Sequence, residues 1–259
     1  GGDSPGMNAA IRAVVRTGME LGIEVYGIRQ GYSGLMNGDY NLLTSVEVSG
    51  ILQRGGTILQ TALNEEFKTA AGQKRALRRL NEKGIEGLVV IGGNGSLTGA
   101  LRLHEQNLPT VGIPGSIDND IFGTDMSIGV DTALNTILDA IDRLRDTATS
   151  HQRAFLVEVM GRNCGYLAVM GSILGGAEVV ITPERDMSMD EVAAALEDAY
   201  VRGKTHAIAV VAEGATLKVT QLSEYLSKQN VGFEIRLIIL GHIVRGGSPT
   251  AFDRKLSTR

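Results

Sequence analysis

Short apolar runs bounded by glycine alternate along the chain with segments in which apolar residues return every three or four positions. The runs "IEVYGI" (23–28), "GLVVIGG" (87–93), "TVGIP" (110–114), "AFLVEVMG" (154–161), "HAIAVVAEG" (206–214) and "IRLIILGH" (235–242) predict buried strands. Helical spacing is clearest over 131–149. There Leu134, Ile137, Leu138, Ile141 and Leu144 share one face, and Asp142, Arg143 and Asp146 share the other. The same spacing predicts helices over 68–83, 189–202 and 220–229, and "GGDSPGMN" opens another. Strands alternating with helices imply right-handed crossovers and an α/β fold with parallel sheets covered on both faces. Such sheets bind ligands at the carboxyl ends of their strands.

The segments that follow the apolar runs are polar or rich in glycine: "GGNGS", "GSIDND", "MGRNCG", "AEG" and "GHIVRGGSP". One Asp- and Asn-rich loop, taken alone, is an ordinary surface turn. Several of them at the same edge of a parallel sheet would converge, and together they offer glycines, carboxylates, arginines and a histidine. That set suits phosphates and a hydroxyl. The glycines of "GGDSPGMN" let the backbone approach a phosphate while the helix N-terminus supplies N–H donors and a favourable dipole. A carboxylate in "GSIDND" can accept the proton of a hydroxyl that attacks phosphorus. Arginines pair bidentately with the charge on phosphoryl oxygens.

Composition narrows the setting. A chain of 259 residues with 43% hydrophobic residues can bury one large core or two modest ones. Its 34 glycines punctuate the pattern and do not form a low-complexity tract. A net charge of −4, no long Lys/Arg run and no tryptophan argue against a nucleic-acid surface, so anions must be held by local clusters. The single cysteine, Cys164, excludes an internal disulfide and reads as a packed small residue, not a nucleophile. The chain has no 18-residue apolar run and no signal-like segment, which predicts cytoplasmic residence and no membrane partner. The opening "GGDSPGMN", with no Met or strand before it, and the closing "FDRKLSTR" suggest trimming at both ends.

The motifs "GGDSPGMNAAIR", "GGNGS", "PGSIDND", "SHQR", "VEVMGR", "VVAEG" and "LGHIVRGGSPTAFDR" occur in the order found in bacterial 6-phosphofructokinases. The chain resembles that family over essentially its whole length, as a fragment lacking the first strand and the C-terminal segment. The resemblance implies two Rossmann-like, doubly wound domains with mainly parallel sheets and an active site in the crevice between them. An ATP-binding domain would span 1–130 and a sugar-phosphate domain 131–245, with 246–259 beginning a segment that returns toward the first. The implied reaction moves the γ-phosphoryl group of ATP to the 1-hydroxyl of fructose 6-phosphate, a step of glycolysis, with Mg2+ as cofactor, in a cytoplasmic homotetramer.

Roles for individual residues follow from the same resemblance. Gly2, Leu63, Asn64 and the loop of Gly93, Asn94, Gly95 and Ser96 lie at the nucleotide. Asp118 is the general base. Ser116 donates to the transferring group and lines the sugar with Ile117, while Asp120 stands on the metal side with Asn94. Arg162, after Met160 and Gly161, is the transition-state and sugar-binding arginine. Arg153, Arg236, His242 and Arg245 cradle the sugar 6-phosphate, the first two reaching across from a neighbouring subunit, and Glu213 accepts from sugar hydroxyls. Arg12 and Arg16, four apart on the first helix, can face one phosphate. With Arg145, Gly176, Glu178, Arg202, Lys204 and His206 they match a regulatory site where a nucleoside diphosphate activates and phosphoenolpyruvate inhibits.

Two positions depart from the family pattern. Asn94 replaces an aspartate that positions magnesium through water, keeping the shape and losing the charge. Leu63 replaces an arginine that bridges the ATP phosphates, and an arginine finger is worth about 10³–10⁵ in rate in some phosphoryl-transfer systems. Three readings therefore stand: an ATP-dependent kinase of reduced or altered activity, a weakly or non-catalytic regulatory subunit favoured by Leu63 and Asn94, and a diphosphate-dependent kinase. Relatives of the third kind carry an acidic residue at Gly95 and lysine at Gly115, so glycine at both favours ATP.

Overall fold

The computed structural model describes residues 2–259, and Gly1, the first residue of the "GGDSPGMN" motif, lies outside the described residues. In chain order the elements are α1 (Met7–Glu20), β1 (Tyr26–Ile28), α2 (Tyr32–Asn37), β2 (Tyr40–Leu42), α3 (Ala70–Lys83), β3 (Leu88–Gly92), α4 (Asn94–His104), β4 (Thr110–Pro114) and α5 (Val130–His151). There follow β5 (Arg153–Val159), α6 (Tyr166–Gly175), β6 (Val179–Ile181), α7 (Met189–Val201), β7 (Ala207–Ala212), α8 (Val219–Lys228), β8 (Glu234–Ile239) and α9 (Ala251–Thr258). The chain divides into two compact units. The first comprises Gly1–Ile117, Ile121–Asp131 and Arg245–Arg259; the second comprises Asp118–Asp120 and Thr132–Val244.

In the first unit, α1 buries Met7, Asn8, Ile11 and Val15 and ends at the left-handed Gly22. The next residue, Ile23, donates its N–H to the Gly18 carbonyl at 2.8 Å, the closing bond of a helix C-terminus. That closure withdraws Ile23 from the strand expected over 23–28. The strand β1 therefore starts at Tyr26 and pairs antiparallel with β2, which the apolar pattern did not announce, with Tyr26 opposite Leu42. The parallel pair β3–β4 occupies the two predicted runs, from Leu88 opposite Thr110 to Gly92 opposite Pro114. Helices α2, α4 and α9 were also not foreseen. Because α4 starts directly beyond β3 with Gly93 as its N-cap, Asn94, Gly95 and Ser96 form a helical first turn where a loop was expected.

The second unit carries a four-stranded parallel sheet in the order β6-β7-β5-β8. Every residue of β7 is buried, as an unbroken apolar run in an inner strand requires. Leu156, Ile181 and Val211 from the sheet share a core with Leu196 of α7 and Leu222 and Leu226 of α8. A capping box of Ser188 and Glu191 starts α7, and such caps contribute about 1 kcal/mol. The helix α6 escaped the sequence reading because it is apolar nearly all round. It packs closely on α5: a Cβ on Gly171 or on Gly175 would stand 3.0 Å from Ile137 or Ile141. The short strand β6 was missed as well, being three residues long.

Candidate active site

The strand β4 leads through Gly115 into Ser116 and the buried Ile117. Asp118 then lies 8% exposed, and Asn119 takes a left-handed backbone with φ 52°. Arg162 brings Nε to 3.4 Å from Asp118 Oδ2 while its side chain stays 67% exposed, so the guanidinium remains open to an incoming anion. Cys164 donates its thiol to the Asn119 carbonyl (3.9 Å), and burial raises its pKa. A packed cysteine, not a thiolate, is what that environment favours.

The loop that carries Arg162 is tied down from the end of β7. Glu213 Oε1 accepts the N–H of Gly161 at 3.1 Å and of Arg162 at 2.7 Å. Met160, just before them, is half-buried. Glu184 accepts the N–H of Gly165 at 2.8 Å and fixes the entry to α6. Burial pushes its carboxyl up, but this backbone bond and its own N–H leave it below the usual carboxylate range. Glu158 on β5 is pushed up by burial and by the nearby charge of Glu213.

Arg153 and Arg236, expected together at a sugar phosphate, do share a neighbourhood: both pair with Glu234, Arg153 Nε at 2.7 Å from Oε2 and Arg236 through Nη2. The hydrogen bonds from Arg153, followed by the charges of both arginines, hold the Glu234 carboxyl below its usual value. His242 is exposed on a short 3₁₀ turn, Gly241–Arg245. Arg245 belongs to the first unit and has a partner the sequence did not suggest: its Nη2 lies 2.9 Å from Asp3 Oδ1 and 3.3 Å from the Asp3 carbonyl.

Among the first-unit positions expected at the nucleotide, Gly2 donates its N–H to Thr61 Oγ1 at 2.9 Å. Leu63 projects with 96% exposure, while Asn64 is engaged, donating to Ser33 Oγ and accepting from the Phe67 N–H. The first turn of α4 is braced by Tyr32, whose hydroxyl donates to the Ser96 carbonyl at 2.6 Å and whose ring stacks on Phe67 at 3.9 Å. Gly93 lies against Ser116: a Cβ there would be 3.5 Å from the serine Cβ.

Most of the expected regulatory residues of the second unit gather. Arg145 donates to the Gly175 and Gly176 carbonyls and approaches His206 Nε2 at 3.4 Å, and Lys204 pairs at 2.5 Å with Glu178. The Glu178 side chain is only 6% exposed, and it also accepts the Ile208 N–H at 2.6 Å. Burial, with Arg145 beside it, pulls the His206 pKa down. Arg202 is engaged elsewhere, with Asp198 at 2.9 Å. Arg12, half-buried, and Arg16, exposed, lie on α1 in the first unit.

Among the described residues no three His, Cys, Asp or Glu side chains gather as a metal-binding group. Asp120, two residues beyond Asp118, offers a hard oxygen. So sparse a donor set fits a divalent cation that keeps water and takes substrate phosphates as ligands. The sequence reading missed several residues that hold these loops. Asn8 is 1% exposed, donates to the Arg54 and Gly55 carbonyls and accepts the Ile58 N–H. A polar residue on the apolar stripe of α1 was its signal, because a buried amide must find partners.

Doubly wound α/β proteins with their chemistry at strand ends form the class that handles nucleotides and phosphates. Within it, the sequence profile described as Phosphofructokinase matches residues 1–259. The chain is 56% identical to an ATP-dependent 6-phosphofructokinase of Thermotoga neapolitana, over 99% of this chain and 80% of that protein. It is also 56% identical to one of Halalkalibacterium halodurans, over 100% of this chain and 81% of that protein. A solved phosphofructokinase from Saccharomyces cerevisiae superposes with a TM-score of 0.92 at 39% identity, covering all of this chain and 39% of the yeast chain. A pyrophosphate-dependent phosphofructokinase from Marinobacter aquaeolei, at 20% identity and a TM-score of 0.86, shares the fold. The chain belongs to the phosphofructokinase family.

Proposed function

We propose that this chain transfers the γ-phosphoryl group of ATP to the 1-hydroxyl of fructose 6-phosphate. The observation that carries the reading is the Asp118–Arg162 pair, a shielded carboxylate under an open guanidinium, in a chain more than half identical to enzymes of that name. Asp118 accepts the hydroxyl proton as the oxygen attacks phosphorus. Arg162 pairs with the charge that spreads over the transferring oxygens, and Ser116 donates a hydrogen bond to them. Arg153, Arg236, His242 and Arg245 hold the sugar 6-phosphate, with Glu213 and Met160 beside the sugar. The first unit serves the nucleotide, through Gly2 and the N-terminal turn of α4, where backbone N–H groups and the helix dipole favour phosphate. Asp120, with Asn94 as a neutral oxygen donor, would hold a magnesium ion, which would supply charge neutralisation at the ATP phosphates.

The regulatory subunit reading has no support in the comparisons, whose curated matches carry the name of the enzyme. ATP is favoured over diphosphate because Gly95 leaves open space around its backbone and Gly115 sits against Met7 Cε, 3.0 Å from a Cβ it would need. We extend the proposal to a cytoplasmic homotetramer in which Arg153 and Arg236 serve a neighbour's sugar. The cluster around Arg145, Gly176, Glu178, Lys204 and His206, with Arg202, Arg12 and Arg16, takes a nucleoside diphosphate or phosphoenolpyruvate. A coupled assay of the purified full chain with fructose 6-phosphate and either ATP or diphosphate tests the reaction. Turnover with ATP is expected; turnover with diphosphate alone, or with neither donor, would sink it.

A further inference from the structure

We propose that the Glu213–Gly214 turn is a positioning device that holds the Arg162 backbone in the conformation that sends its guanidinium to Asp118. This rests on Arg162 being the transition-state arginine of the reaction above. An arginine takes a positive φ only under constraint, yet Arg162 has φ 50° and Gly161 before it φ 147°. Glu213 supplies the constraint. One of its oxygens, Oε1, receives the N–H groups of both Gly161 and Arg162. Two amides converging on one carboxylate oxygen form a small nest, which fixes consecutive peptides at once.

The turn is itself held on three sides, all inside the second unit. The strands β5 and β7 end side by side, with Val159 opposite Ala212, and the Glu213 N–H donates to the Val159 carbonyl at 2.9 Å. Gly214 admits the Arg162 peptide: a Cβ there would stand 1.8 Å from the Arg162 carbonyl oxygen and 3.2 Å from Pro183 Cγ. Lys218 Nζ closes the turn by donating to the carbonyls of Glu213 at 3.3 Å and Ala215 at 3.0 Å. A residue expected to meet only sugar hydroxyls therefore has one oxygen engaged in holding the arginine.

Amide exchange over 159–165 by mass spectrometry, together with kcat, tests this on the full chain. Glu213→Ala should speed exchange at 161–162 and lower kcat, each by about tenfold or more, since small misplacements of catalytic groups are expensive in rate. Glu213→Gln keeps the accepting oxygen and should leave exchange at 161–162 within about threefold of the parent. Lys218→Met, which leaves the carboxylate in place, should lower kcat by about threefold. In an Arg162→Ala background, Glu213→Ala should cost less than about twofold more in kcat, because its effect passes through the arginine. Unchanged exchange at 161–162 in Glu213→Ala, or losses that multiply fully with Arg162→Ala, would overturn the proposal. Should Glu213→Ala fail to fold, the same cycle run with Lys218→Met decides it. An Arg162→Ala enzyme as fast as the parent is a separate failure, that of the catalytic reading of Arg162. The exchange data would then decide the clamp by themselves.

Discussion

In the second unit the residues proposed for the site and its regulation are charged and paired: Asp118 with Arg162, Arg153 and Arg236 with Glu234, Lys204 with Glu178. In the first unit the positions proposed for the nucleotide are Gly2, Leu63, Asn64, Gly93, Asn94, Gly95 and Ser96, none of them charged. The two units also fix their loops differently. The Glu213 and Arg162 loops of the second hang from neighbouring ends of one parallel sheet, as Glu213 beyond β7 reaches Gly161 and Arg162 beyond β5. Those of the first are pinned by single polar side chains across long stretches of sequence, Asn8 to the segment 54–58 and Ser248 to the Gln53 carbonyl. On the function proposed above, electrostatic stabilisation of the transferring group would fall to the charged pairs of the second unit, while the first would offer backbone N–H groups and a helix dipole.

The strongest way to break this contrast is to remove charge where it is concentrated. Asp118→Asn should lower kcat by about 10² or more with sugar affinity changed only a few-fold, since general-base contributions run about 10²–10⁴. Steady-state kinetics that show an unchanged kcat would refute the base. The polar pins of the first unit should matter for stability instead. Asn8→Ala removes the three hydrogen bonds by which this buried amide holds the 54–58 segment and should destabilise by about 1–3 kcal/mol, read as a lower denaturant midpoint. A midpoint equal to the parent's would mean the 54–58 segment is held without it.

Adding charge to the first unit sharpens the comparison from the other side. Leu63→Arg with Asn94→Asp restores a cation and a carboxylate, and the pair should raise kcat by about tenfold, a modest share of the 10³–10⁵ credited to arginine fingers elsewhere. Their gains should be non-additive, because both act on one metal–phosphate group. A parent already turning over at about 1–100 s⁻¹, with no gain in the double variant, would show that the neutral nucleotide side suffices.

The smallest expected effect is on pH dependence. Burial, then Arg145, holds the His206 pKa below the ordinary 6.5. Below that value the unfolded chain takes up a proton that the fold resists, so stability falls with falling pH until folded His206 itself protonates. His206→Gln should therefore lose less thermal midpoint than the parent between about pH 7.5 and about pH 5.5. Equal losses would assign the acid sensitivity to other groups.

The α/β class, five of the six predicted strands close to their observed positions, and the order of the loop motifs were legible in the sequence, because apolar periodicity is a property of neighbours along the chain. The same local rule failed where it had no contrast to work on. The helix α6 has no polar face, β2 and β6 are three residues long, and Ile23 was drawn into the closing turn of α1. The motifs also marked Asp118, Arg162 and Glu213 as residues with chemistry to do. What they did not contain was partner choice. That Glu213 holds the Arg162 peptide, that Arg153 meets Glu234, and that Arg245 meets Asp3 are pairings between residues far apart in sequence or on different strands. Hydrogen bonds and ion pairs depend on distances of about 3 Å. Only the crossovers and sheet order that bring strand ends together fix those distances, and so only the tertiary structure decided them.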